Sequence, residues 1–225
     1  MQTEKPYWLE ESYSDAISVS DTGIMARNIH LARTAKVIFS LTINVKEKFL
    51  DYGGGYGIFT RLMRDYGFDF YWYDKYATNL VSRGFEGELD NKRYEAITSF
   101  ENFEHFENPI EEIEKIFSLT NFVLFSTELI PETVPTTDNW WYYCLEHGQH
   151  ISLFSRKSLE FIAQKHGYHL TTNGTNLHIF SKKQLFPKIF LLEKIIHRFG
   201  VDSLFKLMPK TNNDMLTMIQ KMDGK

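Results

Sequence analysis

The feature that most constrains this chain is a cluster of glycines placed at the end of a short apolar segment. Phe49-Leu50-Asp51-Tyr52 reads as a strand, Gly53-Gly54-Gly55-Tyr56-Gly57 follows at once, and Ile58, Leu62 and Met63 then recur at helical spacing as far as Tyr66. Strand, glycine loop and helix in that order open a parallel α/β sheet. Residues without a Cβ let the backbone turn sharply and come close to a ligand.

A second strand, Phe68 to Tyr73, ends at the charged pair Asp74-Lys75. Beyond it the pattern predicts helix Ala77 to Arg83, a short strand near Gly84-Phe85-Glu86, and a strand from Tyr94 to Phe100. Helix Pro109 to Ser118 follows, with proline at its first turn, then the apolar run Asn121 to Ser126. Ser155 is an N-cap for a helix reaching His166, and Asn173-Gly174 joins Tyr168–Thr172 to Leu177–Phe180 as an antiparallel hairpin.

The expected fold class is α/β: a Rossmann-like, doubly wound, mostly parallel seven-stranded sheet with a C-terminal antiparallel hairpin. N-terminal helices from Tyr7 to Phe39 and a C-terminal helical tail complete it. Residues 1–45 read as an N-terminal helical cap, 46–181 as the ligand-binding domain and 182–225 as a basic amphipathic helical tail. Ligands of open α/β sheets sit outside the carboxyl ends of the strands, which directs attention to Asp51, Asp74, Glu101 and Thr127.

A length of 225 residues suits one domain with appended elements, and 43% hydrophobic with 24% charged residues is the balance of an ordinary globular protein. A net charge of −4 disfavours nucleic acid as a partner. Cys144 is the single cysteine, so no internal disulfide forms, which fits a cytoplasmic location. The start, Met1 to Pro6, lacks the basic and apolar pattern of an export signal. No apolar stretch approaches the roughly 20 residues that span a bilayer.

The loop separates two cofactor classes. Its spacing is Gly53-x-Gly55-x-Gly57, whereas a dinucleotide fingerprint requires a third Gly or Ala at position 58, here Ile58. With Asp51 ahead of the glycines and Asp74 closing the second strand, the segment resembles the first two motifs of the class I S-adenosylmethionine-dependent methyltransferases. The resemblance runs from about Phe49 to Phe180, and is closest to the branch of small-molecule and sugar O-methyltransferases.

That resemblance implies an S-adenosylmethionine-binding domain over 46–181. Gly53 and Gly55 approach the methionine part, Asp51 accepts hydrogen bonds from the ammonium directly or through water, and Asp74 holds the ribose. Lys75 and Tyr76 flank the adenine, Phe85 and Glu86 form its other wall, and Phe100 joins the cofactor residues.

Phe100-Glu101-Asn102-Phe103-Glu104-His105-Phe106 follows a strand on the rim where an acceptor meets the sulfonium. Two readings stand. In one, Glu104 and His105 cap the following loop. In the other, Glu101, Glu104, His105 and His150 hold a divalent metal, better Mn, Fe or Zn than Mg, a pattern similar to the Glu-x-x-Glu-His of metal-dependent O-methyltransferases. Without a metal, His150 or His105 serves as general base.

Trp140, Trp141 and Tyr143 are candidates for stacking on a sugar, and equally for a lid anchored in the core; His147 reads as a loop residue. Arg27 reaches either the cofactor carboxylate or an acceptor phosphate, or forms a surface ion pair with Asp21. The expected partner is a small-molecule acceptor such as a nucleotide sugar or glycan precursor, methylated on oxygen. The alternatives are metal-free N- or C-methylation and a non-catalytic subunit. The tail, which carries Lys188, Lys194, Arg198, Lys206 and Lys210 among apolar residues, reads as a packed helix, with docking to a peripheral membrane or a partner as the other use.

Overall fold

The computed structural model describes residues 21–90, 92–145 and 150–223. The expectations for Tyr7 to Ser20 and for His147 lie outside the described residues. Two compact units are distinguished within them, one formed by the stretches up to Glu95 and from Lys188 onward, the other by Ala96–Pro187.

The first unit contains the glycine loop. Helix α1 (Ile24–Thr42) buries Leu31, Ala32, Ala35, Val37, Ile38 and Phe39 and ends where Ile43 turns extended. Strands β1 (Lys48–Tyr52) and β2 (Asp69–Tyr73) pair in parallel, with Asp51 opposite Trp72. Phe49 is the centre of the core here, stacked on Phe70 at 5.2 Å and on Phe39 at 5.4 Å. Helix α2 (Ile58–Asp65) starts at Gly57, whose φ of 86° lies in the left-handed region that favours glycine.

The expected helix Ala77 to Arg83 does not form. Asn79 Oδ1 instead accepts the Ser82 amide at 2.9 Å, the Ser82 hydroxyl donates to the Gly57 carbonyl at 2.8 Å, and the Leu80 and Val81 amides both donate to Tyr56 O. Short polar side chains have outcompeted the helix for backbone partners. The expected strand near Gly84-Phe85-Glu86 shrinks to one parallel bridge between Trp72 and Glu86.

The later stretches of this unit carry helix α5 (Ile189–Arg198), a short 3-10 turn Val201–Leu204 and helix α6 (Thr211–Asp223). Buried Arg64 binds α6 through a two-pronged pair to Asp214, both contacts at 2.7 Å, and its guanidinium lies 3.7 Å from the Phe85 ring centre. Thr34 of α1 donates to Glu193 of α5 at 2.8 Å. The tail is thus packed by specific polar contacts as well as by Ile189, Phe190 and Ile196.

In the second unit the strands run in the order β3-β4-β6-β5. Strand β3 (Ala96–Ser99) is parallel to β4 (Phe122–Ser126), while β6 (Leu177–Ser181) is antiparallel to both β4 and β5 (His169–Thr172). Every residue of β3, β4 and β6 is buried, as expected of strands covered on both faces. Helix α3 (Pro109–Leu119) has proline in its first turn, and α4 (Arg156–Lys165) starts at the expected cap, Ser155, through a capping box with Ser158.

The hairpin turn is closed by Asn173, whose side-chain oxygen accepts the amides of Thr175, Asn176 and Leu177. The described residues hold six strands and six α-helices, not seven strands, because the segment at Phe85 makes too few ladder bonds to count as one.

Candidate functional site

In the first unit, the last residue but one of β1 is Asp51, 2% exposed, whose Oδ2 accepts the Thr60 hydroxyl at 2.9 Å. The backbone then folds over the end of β2, with the Gly53 and Gly54 amides donating to Tyr73 O at 2.8 and 3.1 Å. Gly53, Gly55 and Gly57 all have positive φ, at 78°, 51° and 86°. Gly54 answers to a different constraint, close approach: a Cβ there would lie 2.6 Å from Trp72 Cδ1. Trp72 Nε1 in turn donates to Gly55 O at 2.9 Å.

Asp74 organises the loop from the neighbouring strand. Its Oδ2 accepts the Gly55 amide at 2.9 Å, and its Oδ1 accepts the amides of Tyr76 and Ala77, each at 2.8 Å. Three backbone donors aimed at one carboxylate preset both the glycine loop and the turn after β2. A carboxylate has about four lone-pair positions, so some accepting capacity remains for a ligand hydroxyl.

Lys75 and Tyr76 are exposed, with the ammonium 5.0 Å from the ring centre. Glu86 is occupied by Asn79 Nδ2 at 2.9 Å and by the Gly84 amide. Arg27 pairs with Asp21 at 2.6 Å, the surface ion pair foreseen as its alternative.

The second unit brings together the acid and histidine cluster. Glu101 has an unusual φ of 50° for a non-glycine residue. Ser126 at the end of β4 holds it there: the Glu101 amide donates to Ser126 Oγ at 2.7 Å, and that hydroxyl donates to Glu101 Oε1 at 2.6 Å. The chain then makes a 3-10 turn, Phe103–His105, anchored by Phe103 stacked on Phe125 at 4.2 Å.

Glu104, in the middle of that turn, is fully buried. Neither of its carboxyl oxygens has a hydrogen-bond partner among the described residues. Burial first, and the nearby Glu101 charge second, push its pKa up to about 8. The Tyr142 and Thr127 hydroxyls temper that rise, yet they are engaged with each other at 3.3 Å. Glu128 is raised in the same direction by burial and by Glu101.

The Glu104 carbonyl accepts the amides of Ile151 and Ser152, both at 2.9 Å, which seats the residues after His150 on this turn. His150 Nδ1 lies 2.7 Å from the Tyr142 carbonyl. A carbonyl only accepts, so Nδ1 carries the proton and Nε2 is the accepting nitrogen of the neutral ring. The His105 and His150 rings meet edge to face at 5.0 Å. Glu104, His105 and His150 each offer a ligand atom, all within 4.8 Å of one another; Glu101, engaged with Ser126, is not a member of that set.

Trp140 and Tyr143 are half-buried and meet edge to face at 4.9 Å, with the Tyr143 hydroxyl on Pro135 O at 2.8 Å, while Trp141 is 74% exposed. Their anchor is Tyr142, buried, with its ring 4.5 Å from that of His150. Tyr142 was not among the predicted site residues, and neither were Thr60, Ser126 or Asn79. Within four consecutive aromatics, nothing in the sequence marks Tyr142 as the one turned inward. Phe100 is half-buried directly after β3.

Three solved structures give a measure of the likeness. A chain of the complex between the Haloferax volcanii Trm112 methyltransferase activator and a methyltransferase matches with a TM-score of 0.54 at 16% identity, over 77% of this chain and 98% of that one. Magnesium protoporphyrin IX methyltransferase from Synechocystis PCC 6803, with SAH bound, matches with a TM-score of 0.51 at 16% identity, over 77% and 92%.

CalO1, a methyltransferase in calicheamicin biosynthesis, matches with a TM-score of 0.44 at 10% identity; 68% of this chain is covered, and it spans about half, 54%, of that protein. The first two likenesses show a mixed α/β, Rossmann-like methyltransferase fold. No curated protein gives a significant match. The methyltransferase-domain family profile matches residues 24–173, well over half of the chain. The chain therefore belongs to the methyltransferase-domain family and is an S-adenosylmethionine-dependent methyltransferase.

Proposed function

We propose that this enzyme methylates an oxygen of a small polar acceptor, such as a nucleotide-linked sugar or a glycan precursor, in the cytoplasm. The solved relatives act on chemically unrelated acceptors, among them magnesium protoporphyrin IX and plantazolicin, so the acceptor has to be argued from this chain's own residues. S-adenosylmethionine supplies a methyl group already activated on a sulfonium. The protein's remaining work is to hold the acceptor in line and remove its proton, which an alcohol needs most.

The observation that carries the proposal is the buried carboxyl of Glu104 beside two imidazoles. His150, with Nδ1–H held by the Tyr142 carbonyl, presents Nε2 as a base, and His105 stands against it. A divalent cation fits the same three residues: one carboxylate and two imidazoles suit Mn²⁺, Fe²⁺ or Zn²⁺ better than Mg²⁺. A bound cation would also supply the countercharge that Glu104 lacks, and it would lower the pKa of an acceptor hydroxyl.

For the cofactor we assign Asp51, Gly53, Gly55 and Asp74, with Lys75, Tyr76, Glu86 and Phe100 around the adenosine. Trp140, Trp141 and Tyr143 are assigned to the acceptor, for which flat rings and a Tyr hydroxyl are suited.

The test is a methyl-transfer screen over nucleotide sugars and phosphorylated metabolites, with and without Mn²⁺, in the wild type and in Glu104→Gln. Transfer to a hydroxyl, stimulated by Mn²⁺ only in the wild type, is the expected outcome. Product analysis giving an N- or C-methyl group would exclude oxygen as the target. Activity indifferent to chelation, with no metal copurifying, would remove the cation and leave the histidines as base.

A further inference from the structure

Helix α5 has an outer face that a packed helix of a soluble protein does not need. Ile189, Phe190, Glu193 and Ile196 are buried, and the opposite face presents Leu191, Ile195 and, one residue past the helix, Phe199, at successive intervals of four. The chain beyond the helix adds two more exposed apolar side chains, Leu204 at 77% and Met208 at 84%. Single exposed apolar side chains are ordinary, but five along one short segment mark a contact surface.

The charges along it have one sign. Lys188, Lys194, Arg198 and Lys206 are exposed, and none has a carboxylate within 4.0 Å among the described residues. The two acids of the segment are turned away from this role: Glu193 is buried against Thr34 and His197, and Asp202 is paired with Arg33 and His197. Lys194 and Arg198 lie on the same face as Leu191 and Ile195. All this occurs on a chain with a net charge of −4.

We propose that the segment from Lys188 to Met208 docks this enzyme on an anionic lipid surface. The apolar row would enter the boundary between headgroups and acyl chains, with the lysine and arginine stems bent back toward the phosphates. Among the described residues no helix is long and apolar enough to cross a membrane, and the attachment proposed is a peripheral, reversible one. A second copy of the chain is a poor occupant. A symmetric dimer opposes each patch to itself, which would bring the four unpaired cations against four others.

Co-flotation of the full-length protein with vesicles tests this directly. The wild type should float with equal parts phosphatidylcholine and phosphatidylglycerol, remain behind with phosphatidylcholine alone, and dissociate as salt is raised. Lys194→Gln and Arg198→Gln should each weaken the partition about fivefold. Phe199→Asp should weaken it at least as much. Because these side chains are exposed, circular dichroism and binding of S-adenosylhomocysteine should stay at wild-type values in all three. Failure to float with anionic vesicles, equal flotation with neutral ones, or a stable dimer that loses its contact on Phe199→Asp would overturn the proposal.

Discussion

Two carboxylates of this enzyme, Asp74 and Glu104, occupy opposite electrostatic conditions. Asp74 accepts three backbone amides and lies part-exposed at the end of β2. Glu104 is wholly buried, its carboxyl oxygens accept no hydrogen bond among the described residues, and it is pushed toward protonation by its surroundings. The first arrangement is a finished scaffold whose charge is spent on shaping a loop. The second is unfinished, since an uncompensated buried carboxylate is costly and calls for a proton or a cation. A rigid loop suits a cofactor bound in the same way at every turnover, and an uncompensated acid suits the place where charge moves.

His150→Ala is the largest test of that contrast. Loss of a general base costs about 10² to 10⁴ in turnover, so kcat should fall by that range while the affinity for S-adenosylhomocysteine, measured by calorimetry, holds. Normal turnover in the variant would remove His150 from the chemistry. An equal loss of cofactor affinity would mean that the two regions do not divide the work as described.

The second test uses His178 in β6, on the Glu104 side of the comparison. Its Nε2 meets Thr127 O at 2.9 Å, its Nδ1 meets the Thr172 hydroxyl at 2.8 Å, and burial lowers its pKa to about 4. A folded pKa below the unfolded value near 6.5 means that the unfolded chain binds the proton first. The stabilisation is therefore complete above pH 6.5 and is lost as pH falls toward 4, by on the order of 3 kcal/mol. Thermal melts of the wild type and of His178→Gln between pH 7 and pH 4 should show the wild type losing more. Parallel slopes would show that the imidazole is not held neutral.

The two regions also differed in how far the sequence disclosed them. The glycine loop was legible because its constraint is chemical: Gly53, Gly55 and Gly57 need positive φ, and glycine is the residue that meets it without strain. The buried state of Glu104 was not legible, since it depends on Phe103 packing under Phe125 and on Ile151 and Ser152 returning to the Glu104 carbonyl.

Ala77 to Arg83 misled for the opposite reason, because its helical pattern was real but Asn79 and Ser82 bonded locally instead. The Arg64–Asp214 pair, joining residues 150 apart in sequence, carries no local signature. Local rules therefore recovered six of the seven expected strands and the loop, and missed what only long-range partners decide.

The smallest of the three effects is expected at Asp74, where the comparison can be sharpened most. Asp74→Ala removes the acceptor of three amides and the group assigned to the ribose hydroxyls. One hydrogen bond to a charged group contributes about 1.5–3 kcal/mol, so cofactor affinity should fall roughly 10- to 100-fold. Asp74→Asn separates the two roles. Its carbonyl oxygen can still accept from Tyr76 and Ala77, but its NH₂ then faces the Gly55 amide, donor against donor. If Asp74 only shapes the turn after β2, the asparagine variant should bind S-adenosylhomocysteine nearly as well as the wild type. If the negative charge grips the glycine loop and the ribose together, Asp74→Asn should approach the alanine variant, and the second result is the one expected here.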